Sequence, residues 1–240
     1  MSAQPASRNA DHSKANAAWF ILALIAILGL VVLTAAVRAK VAFPFDQPLV
    51  AFAHGWNVDP NVWKALSETA NIPLIAIAAG FIVWLFVTGR RREALLVLLL
   101  FAAVTASSEG LKQLTLRARP VTGTAAGIPG VPYSYPSGHV LEALSILGTV
   151  ACRLWRSALA LIVRIAAPAV VTIEVALVGI ARLALGAHYP TDILAGLLGG
   201  IAAVGLYAWF TRPGSWADRE PAESHNVAAT LRRVLRGHPG

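Results

Sequence analysis

Residues 18–37 read AWFILALIAILGLVVLTAAV, with no charged side chain among them. An α-helix needs about 20 mostly apolar residues to cross a bilayer, so this stretch predicts a membrane span. Arg8 and Lys14 before it and Ala35-Ala36 near its end resemble a secretory signal. Its apolar run exceeds the roughly 7–15 residues of a signal peptide's core, so it is read as a retained signal anchor. Working outward, five further segments carry the same signature: Asn71–Thr88, Glu93–Leu111, His139–Leu154, Arg164–Leu185 and Pro190–Phe210. The fourth of the six is the weakest, being short and carrying Glu142.

Composition agrees. The chain has 240 residues, 57% hydrophobic and 13% charged, with a mean hydropathy of +0.64. Soluble domains carry about a quarter charged residues, so disorder, a coiled coil and an ordinary soluble enzyme are excluded. The expected fold is all-α, a polytopic bundle of six transmembrane helices over residues 18–210. A polar tail (1–17) and a basic tail (211–240) flank it. The one cysteine, Cys152, excludes an internal disulfide and a cysteine-rich metal site.

With both termini placed inside, the lysines and arginines divide 13 inside to 7 outside, as the positive-inside rule requires. The net charge of +8 is therefore split between two membrane faces, which argues against nucleic-acid binding. The first outer loop contains Asp59-Pro60, which predicts a short helix over Asn61–Ala70, with Trp56 and Trp63 at the membrane interface. His54, Trp56 and Trp63 read as interfacial packing, with a lid as the alternative. In the basic tail Val227, Leu231, Val234 and Leu235 recur beside Arg232, Arg233 and Arg236. They form either a helix on the inner leaflet or a frayed end. Gly196 and Gly200 have the spacing of a small-residue packing face.

Ionisable residues at membrane depth are costly and usually functional. They gather in three stretches, Lys112–Pro120, Pro136–His139 and Arg182–Asp192, all at outer ends of the spans in this topology. Folded together they would join Lys112, Arg119 and Arg182 with His139, His188 and Asp192. Three cations suit a phosphate dianion. Ser137 and Gly138 open the fourth span, where unpaired backbone N–H groups receive anions. Pro190 fits the first turn of the last span, and Asp192 is held there as an anion by the helix dipole. Asp192 is expected to accept Nδ1–H of His188, which leaves Nε2 nucleophilic. His188 would attack phosphorus, His139 would protonate the leaving oxygen, and water would then hydrolyse the phosphohistidine. No cofactor or metal is expected, since the cations do the work of Mg²⁺.

These stretches resemble the three motifs of the type 2 phosphatidic acid phosphatase family, integral membrane lipid phosphatases related to acid phosphatases and vanadium haloperoxidases. Lys112 and Arg119-Pro120 match the first motif, Pro136–His139 the second, and Arg182, His188 and Asp192 the third, where Ala181 replaces a serine. The resemblance implies His188 as nucleophile, Asp192 as its partner and His139 as acid, with Lys112, Arg119, Ser137, Gly138 and Arg182 on phosphate. It also implies an outer-face site in a bacterial inner membrane. Undecaprenyl pyrophosphate, phosphatidate or phosphatidylglycerol phosphate would be the substrate. A spare cation at Arg117 would favour the diphosphate; otherwise Arg117 faces lipid headgroups. Phosphate transfer to an acceptor lipid such as lipid A would share the first half-reaction, and a non-catalytic transporter would need no His188–Asp192 pair. Glu109 is placed to pair with Lys112. Glu142 either orients His139 or fills the bundle, and Glu174 is either a bonded interior acid or part of a substrate path.

Overall fold

The computed structural model describes residues 5–120 and 133–217, and every regular element in them is a helix. In chain order these are α1 (Pro5–Arg38), α2 (Asp46–His54), α3 (Pro60–Glu68), α4 (Ile72–Val87), α5 (Arg91–Thr115), α6 (Gly138–Trp155), α7 (Leu161–Ala184) and α8 (Pro190–Phe210). Among the described residues, five stretches are long and apolar enough to span a bilayer: Ala17–Arg38, Pro60–Val87, Arg91–Thr115, Leu161–Ala184 and Pro190–Phe210. With α6 they make up the expected six-span layout of an integral multi-pass membrane protein. Ile25, Leu28 and Val32 of α1 are more than half exposed, a face that suits lipid and not water.

α6, the one expected span not among these five, lies inside. It packs between α7 and α8, and Val140, Leu141, Ala143, Ile146 and Ala151 along it are buried. Its hydroxyls are satisfied locally: Ser145 donates to the Leu141 carbonyl at 2.7 Å and Thr149 to that of Ser145 at 2.6 Å. α8 packs against both α6 and α1. A Cβ on Gly196 would lie 2.8 Å from the Ser137 carbonyl, and one on Gly200 would lie 2.7 Å from Leu144. The glycine pair therefore serves close packing of α8 on α6, within the bundle.

Local sequence explains the breaks. Asp59 caps α3 by accepting the Asn61 N–H at 2.8 Å, with Pro60 in the first turn. The short helix thus forms as expected and runs into α4 after a break at residues 69–71. At that break the Thr69 hydroxyl donates to Glu174 at 2.5 Å, and Asn71 donates to Glu68 at 2.6 Å. Glu174 is accordingly a hydrogen-bonded acid. α5 ends on Leu116, whose φ of 50° is left-handed and whose N–H closes on the Lys112 carbonyl at 2.9 Å.

Helix α1 begins at Pro5 and continues into the first span without interruption. Helix α2, a mixed nine-residue segment, went unpredicted. The proposed tail helix around Val227–Arg236 lies outside the described residues.

Both ends of α5 carry buried charge. At one end Glu93 is fully buried, paired with Arg90, accepting the Tyr207 hydroxyl at 2.5 Å and facing Arg153 at 3.4 Å. The other end, called the outer end below, carries Lys112.

Candidate active site at the outer end

The three polar stretches meet around Ser134, a fully buried residue just before α6. Its N–H donates to the Arg117 carbonyl at 2.8 Å and its hydroxyl to the Ala118 carbonyl at 3.2 Å. Its own carbonyl oxygen lies 2.7 Å from Nδ1 of His188. A carbonyl only accepts, so Nδ1 carries the proton and Nε2 keeps its lone pair. Nε2 faces Nη2 of Arg182 at 3.4 Å. The neutral tautomer expected of His188 is thus imposed by a backbone carbonyl.

This revises the expected role of Asp192. Its Oδ2 is 3.7 Å from Nδ1 of His188 and instead accepts the Tyr189 N–H at 2.8 Å, closing the first turn of α8. Its Oδ1 binds Arg117 at 2.6 Å. Asp192 thus sits beside His188 without closing on it as Ser134 does.

Arg117 is not a spare cation. It bridges Asp192 and Asp46, the latter at 2.5 Å, donates to Thr191 at 2.6 Å, and stacks 4.2 Å from the centre of the Tyr189 ring. Burial alone would lower its pKa, but Asp192 and Asp46 outweigh this and hold it above the ordinary arginine value. Asp46 also accepts the Thr191 N–H at 3.1 Å and the Thr191 hydroxyl at 2.8 Å, so a side chain from α2 caps α8.

The other predicted residues converge. Lys112 is buried and paired with Glu109 at 2.5 Å, as its spacing suggested. Arg119 donates to the Ala187 carbonyl at 2.8 Å, and burial lowers its pKa against the pull of Asp192. Arg182 is buried, its Nη1 donating to Ser67 at 3.0 Å while its Nε has no hydrogen-bond partner. The charges that act on His139 are those of Arg182, His188, Lys112 and Arg119, which places it among them. Ser137 sits at the N-cap of α6, fully buried, with its hydroxyl unpartnered. Gly138 follows; a Cβ there would lie 3.2 Å from Oγ of Ser108 and 3.7 Å from Nζ of Lys112, so glycine keeps the α6 N-terminus open. Ala181 is fully buried and offers no hydroxyl.

Burial pushes the His188 pKa down to about 4, with Asp192 opposing this and Arg182 reinforcing it. Next to Ser134 in the chain, Tyr135 is fixed by a 2.9 Å hydrogen bond with Thr34 of α1. The Thr34 hydroxyl already donates to Leu30, so it accepts here. Burial raises the Tyr135 phenol to about 12, which keeps it protonated as the donor.

Glu142 lies 3.5 Å from the Thr105 hydroxyl, a long contact to α5 rather than to His139. His54 binds the Ala184 carbonyl at 2.8 Å, and Trp56 packs on Trp63 and Phe52. The first outer loop therefore packs over the end of α7. Three residues of the site, Asp46, Ser67 and Ser134, escaped the sequence reading. Asp46 alone left a trace, as the one acid between Arg38 and Val58.

The fold has a counterpart among solved structures. The crystal structure of a transmembrane PAP2-type phosphatidylglycerolphosphate phosphatase from Bacillus subtilis superposes with a TM-score of 0.66 at 22% identity. The match covers 81% of this chain and 98% of that one. No curated protein matches the chain. The family model that does match runs from residue 93 to residue 215, taking in all three polar stretches and more than half of the sequence, and by it the chain belongs to the PAP2 superfamily.

Proposed function

We propose that the protein is a lipid phosphatase that removes the terminal phosphate of a membrane lipid phosphate or pyrophosphate through a phosphohistidine on His188. The observation that carries this reading is the His188 ring, held by the Ser134 carbonyl with Nε2 unprotonated among Arg182, Arg119 and His139. Nε2 attacks phosphorus in line, a P–N bond forms and the bond to the lipid oxygen breaks. His139 gives that oxygen its proton. A water then attacks the phosphohistidine, His139 takes the proton, and inorganic phosphate leaves. Lys112, Arg119, Arg182, Ser137 and the Gly138 N–H carry the phosphoryl oxygens, and cationic side chains supply what a metal supplies elsewhere.

The site opens at the outer end of the spans, which suits a substrate whose tail stays in the bilayer. The charge count puts that end at the periplasmic or extracellular face. Phosphatidate, phosphatidylglycerol phosphate and undecaprenyl pyrophosphate are the candidate substrates. Because Arg117 is already paired with two carboxylates, the case for preferring a diphosphate loses its support.

The test is phosphate release in detergent with EDTA present, comparing wild type with His188→Ala on each lipid. Wild type is expected to release phosphate, and the variant to lose about 10⁴-fold or more in kcat. A variant with full activity would sink the mechanism. A newly phosphorylated lipid in place of free phosphate would make the enzyme a phosphotransferase.

A further inference from the structure

Ser108 lies one helical turn before Lys112 on α5, so both side chains leave the same face. It is 1% exposed, and its hydroxyl has no hydrogen-bond partner. A serine or threonine within a helix can donate to the carbonyl four residues back. Thr115, Ser145 and Thr149 of this chain all do so, at 2.6–2.9 Å. Ser108 does not.

Its hydroxyl is turned instead toward Gly138, where a Cβ would meet Ser108 Oγ at 3.2 Å and Lys112 Nζ at 3.7 Å. A buried hydroxyl without a partner is costly, and this one adjoins an ammonium group and the first N–H groups of α6. All of these donate, so the ligand they have in common is an oxyanion.

We infer that Ser108 is a substrate-contacting residue, whose hydroxyl donates to a non-bridging oxygen of the phosphoryl group beside Lys112 and the α6 N-terminus. The inference rests on the phosphatase reading for its substrate, but its geometry requires only a tetrahedral or five-coordinate oxyanion. Ser108 forms no covalent bond in the reaction.

The experiment pairs turnover with a binding measurement that needs no turnover. Ser108→Ala and the isosteric, weakly donating Ser108→Cys are compared with wild type for kcat and KM on lipid phosphates. Orthovanadate affinity is measured on the same purified proteins by thermal shift. A hydrogen bond to a charged oxygen is lost in both variants, so kcat should fall about 10- to 100-fold. Vanadate affinity should fall by a similar factor, with the ligand-free melting temperature nearly unchanged. Wild-type kcat and wild-type vanadate affinity in Ser108→Ala would overturn the inference. A protein that turned over no lipid but bound vanadate in a Ser108-dependent way would retain the inference and lose the phosphatase reading. Wild type that bound no vanadate would overturn the inference as well. Should Ser108→Ala fail to fold, Ser108→Cys answers the same question.

Discussion

α5 begins and ends in buried charge, and the two ends are built oppositely. Near Arg91 the centre is an anion: Glu93 is surrounded by Arg90, Arg153 and the Tyr207 hydroxyl, each aimed at its carboxylate. Near Thr115 Ser108, Ser137 and Arg182 keep donor atoms without partners, whereas around Glu93 the one donor so left is Arg153 Nε, 3.4 Å from the carboxylate itself. A buried cluster closed around its own counter-charge holds helices together. One that keeps several donors unmatched, beside the ion pairs it does form, is organised for an anion from outside. Charge at depth does not separate structure from function; the bookkeeping of donors and acceptors does.

The largest effect that would test this contrast is at the closed end. Glu93→Ala removes the shared acceptor and strands two half-buried arginines and the buried Tyr207 hydroxyl. It is expected to destabilise the bundle by about 3–5 kcal/mol, read as a lower melting temperature in detergent. Activity per folded molecule should stay near wild type. A variant that melts normally but turns over slowly would place Glu93 in the chemistry and erase the distinction.

A smaller effect is expected between the ends, at Asp46. Asp46→Asn weakens the cap on α8 and leaves Arg117 to draw on Asp192 alone. Phosphate release should lose about tenfold in kcat, roughly 1.4 kcal/mol, with KM little changed. Because Asp192 raises the His188 pKa, the acid limb of the pH profile should move with it. A loss confined to melting temperature would make Asp46 a cap and nothing more.

The subtlest test is pH dependence in wild type. Nε2 must be unprotonated to attack, and burial has brought the His188 pKa to about 4. Activity should therefore persist as pH falls through 6.5, and kcat/KM should drop only near 4. The sign follows from the depressed pKa: protonation abolishes the nucleophile, and burial postpones it to lower pH. An acid limb near 6.5 would mean that the ring is solvated in the working enzyme.

Much of this was legible in the sequence because an apolar chain makes its exceptions conspicuous. Lys112, Arg119, His139, Arg182, His188 and Asp192 stand where a span has no use for them. The spans were legible from hydropathy, α6 least clearly, because its interior position removes the demand for apolar residues that lipid imposes. The partner of His188 was not legible, since the Ser134 carbonyl is backbone and every residue has one. Nor was Asp46, whose contact with Thr191 joins positions 145 residues apart. Arg117 misled for the same reason, because a cation's partners are set by tertiary packing. Ser108 drew no reading, since a serine in a leucine-rich helix carries no pattern.

Gly196 lets α8 approach the Ser137 carbonyl, and the Ser137 N–H donates to the Asp192 carbonyl at 3.0 Å. These two contacts join the starts of α6 and α8, the helices that carry His139 and follow His188. Lys112 and Ser108 belong to α5, outside that seam. A substitution that shifted α5 would therefore move Lys112 and Ser108 relative to the two histidines and leave the seam between α6 and α8 as it is.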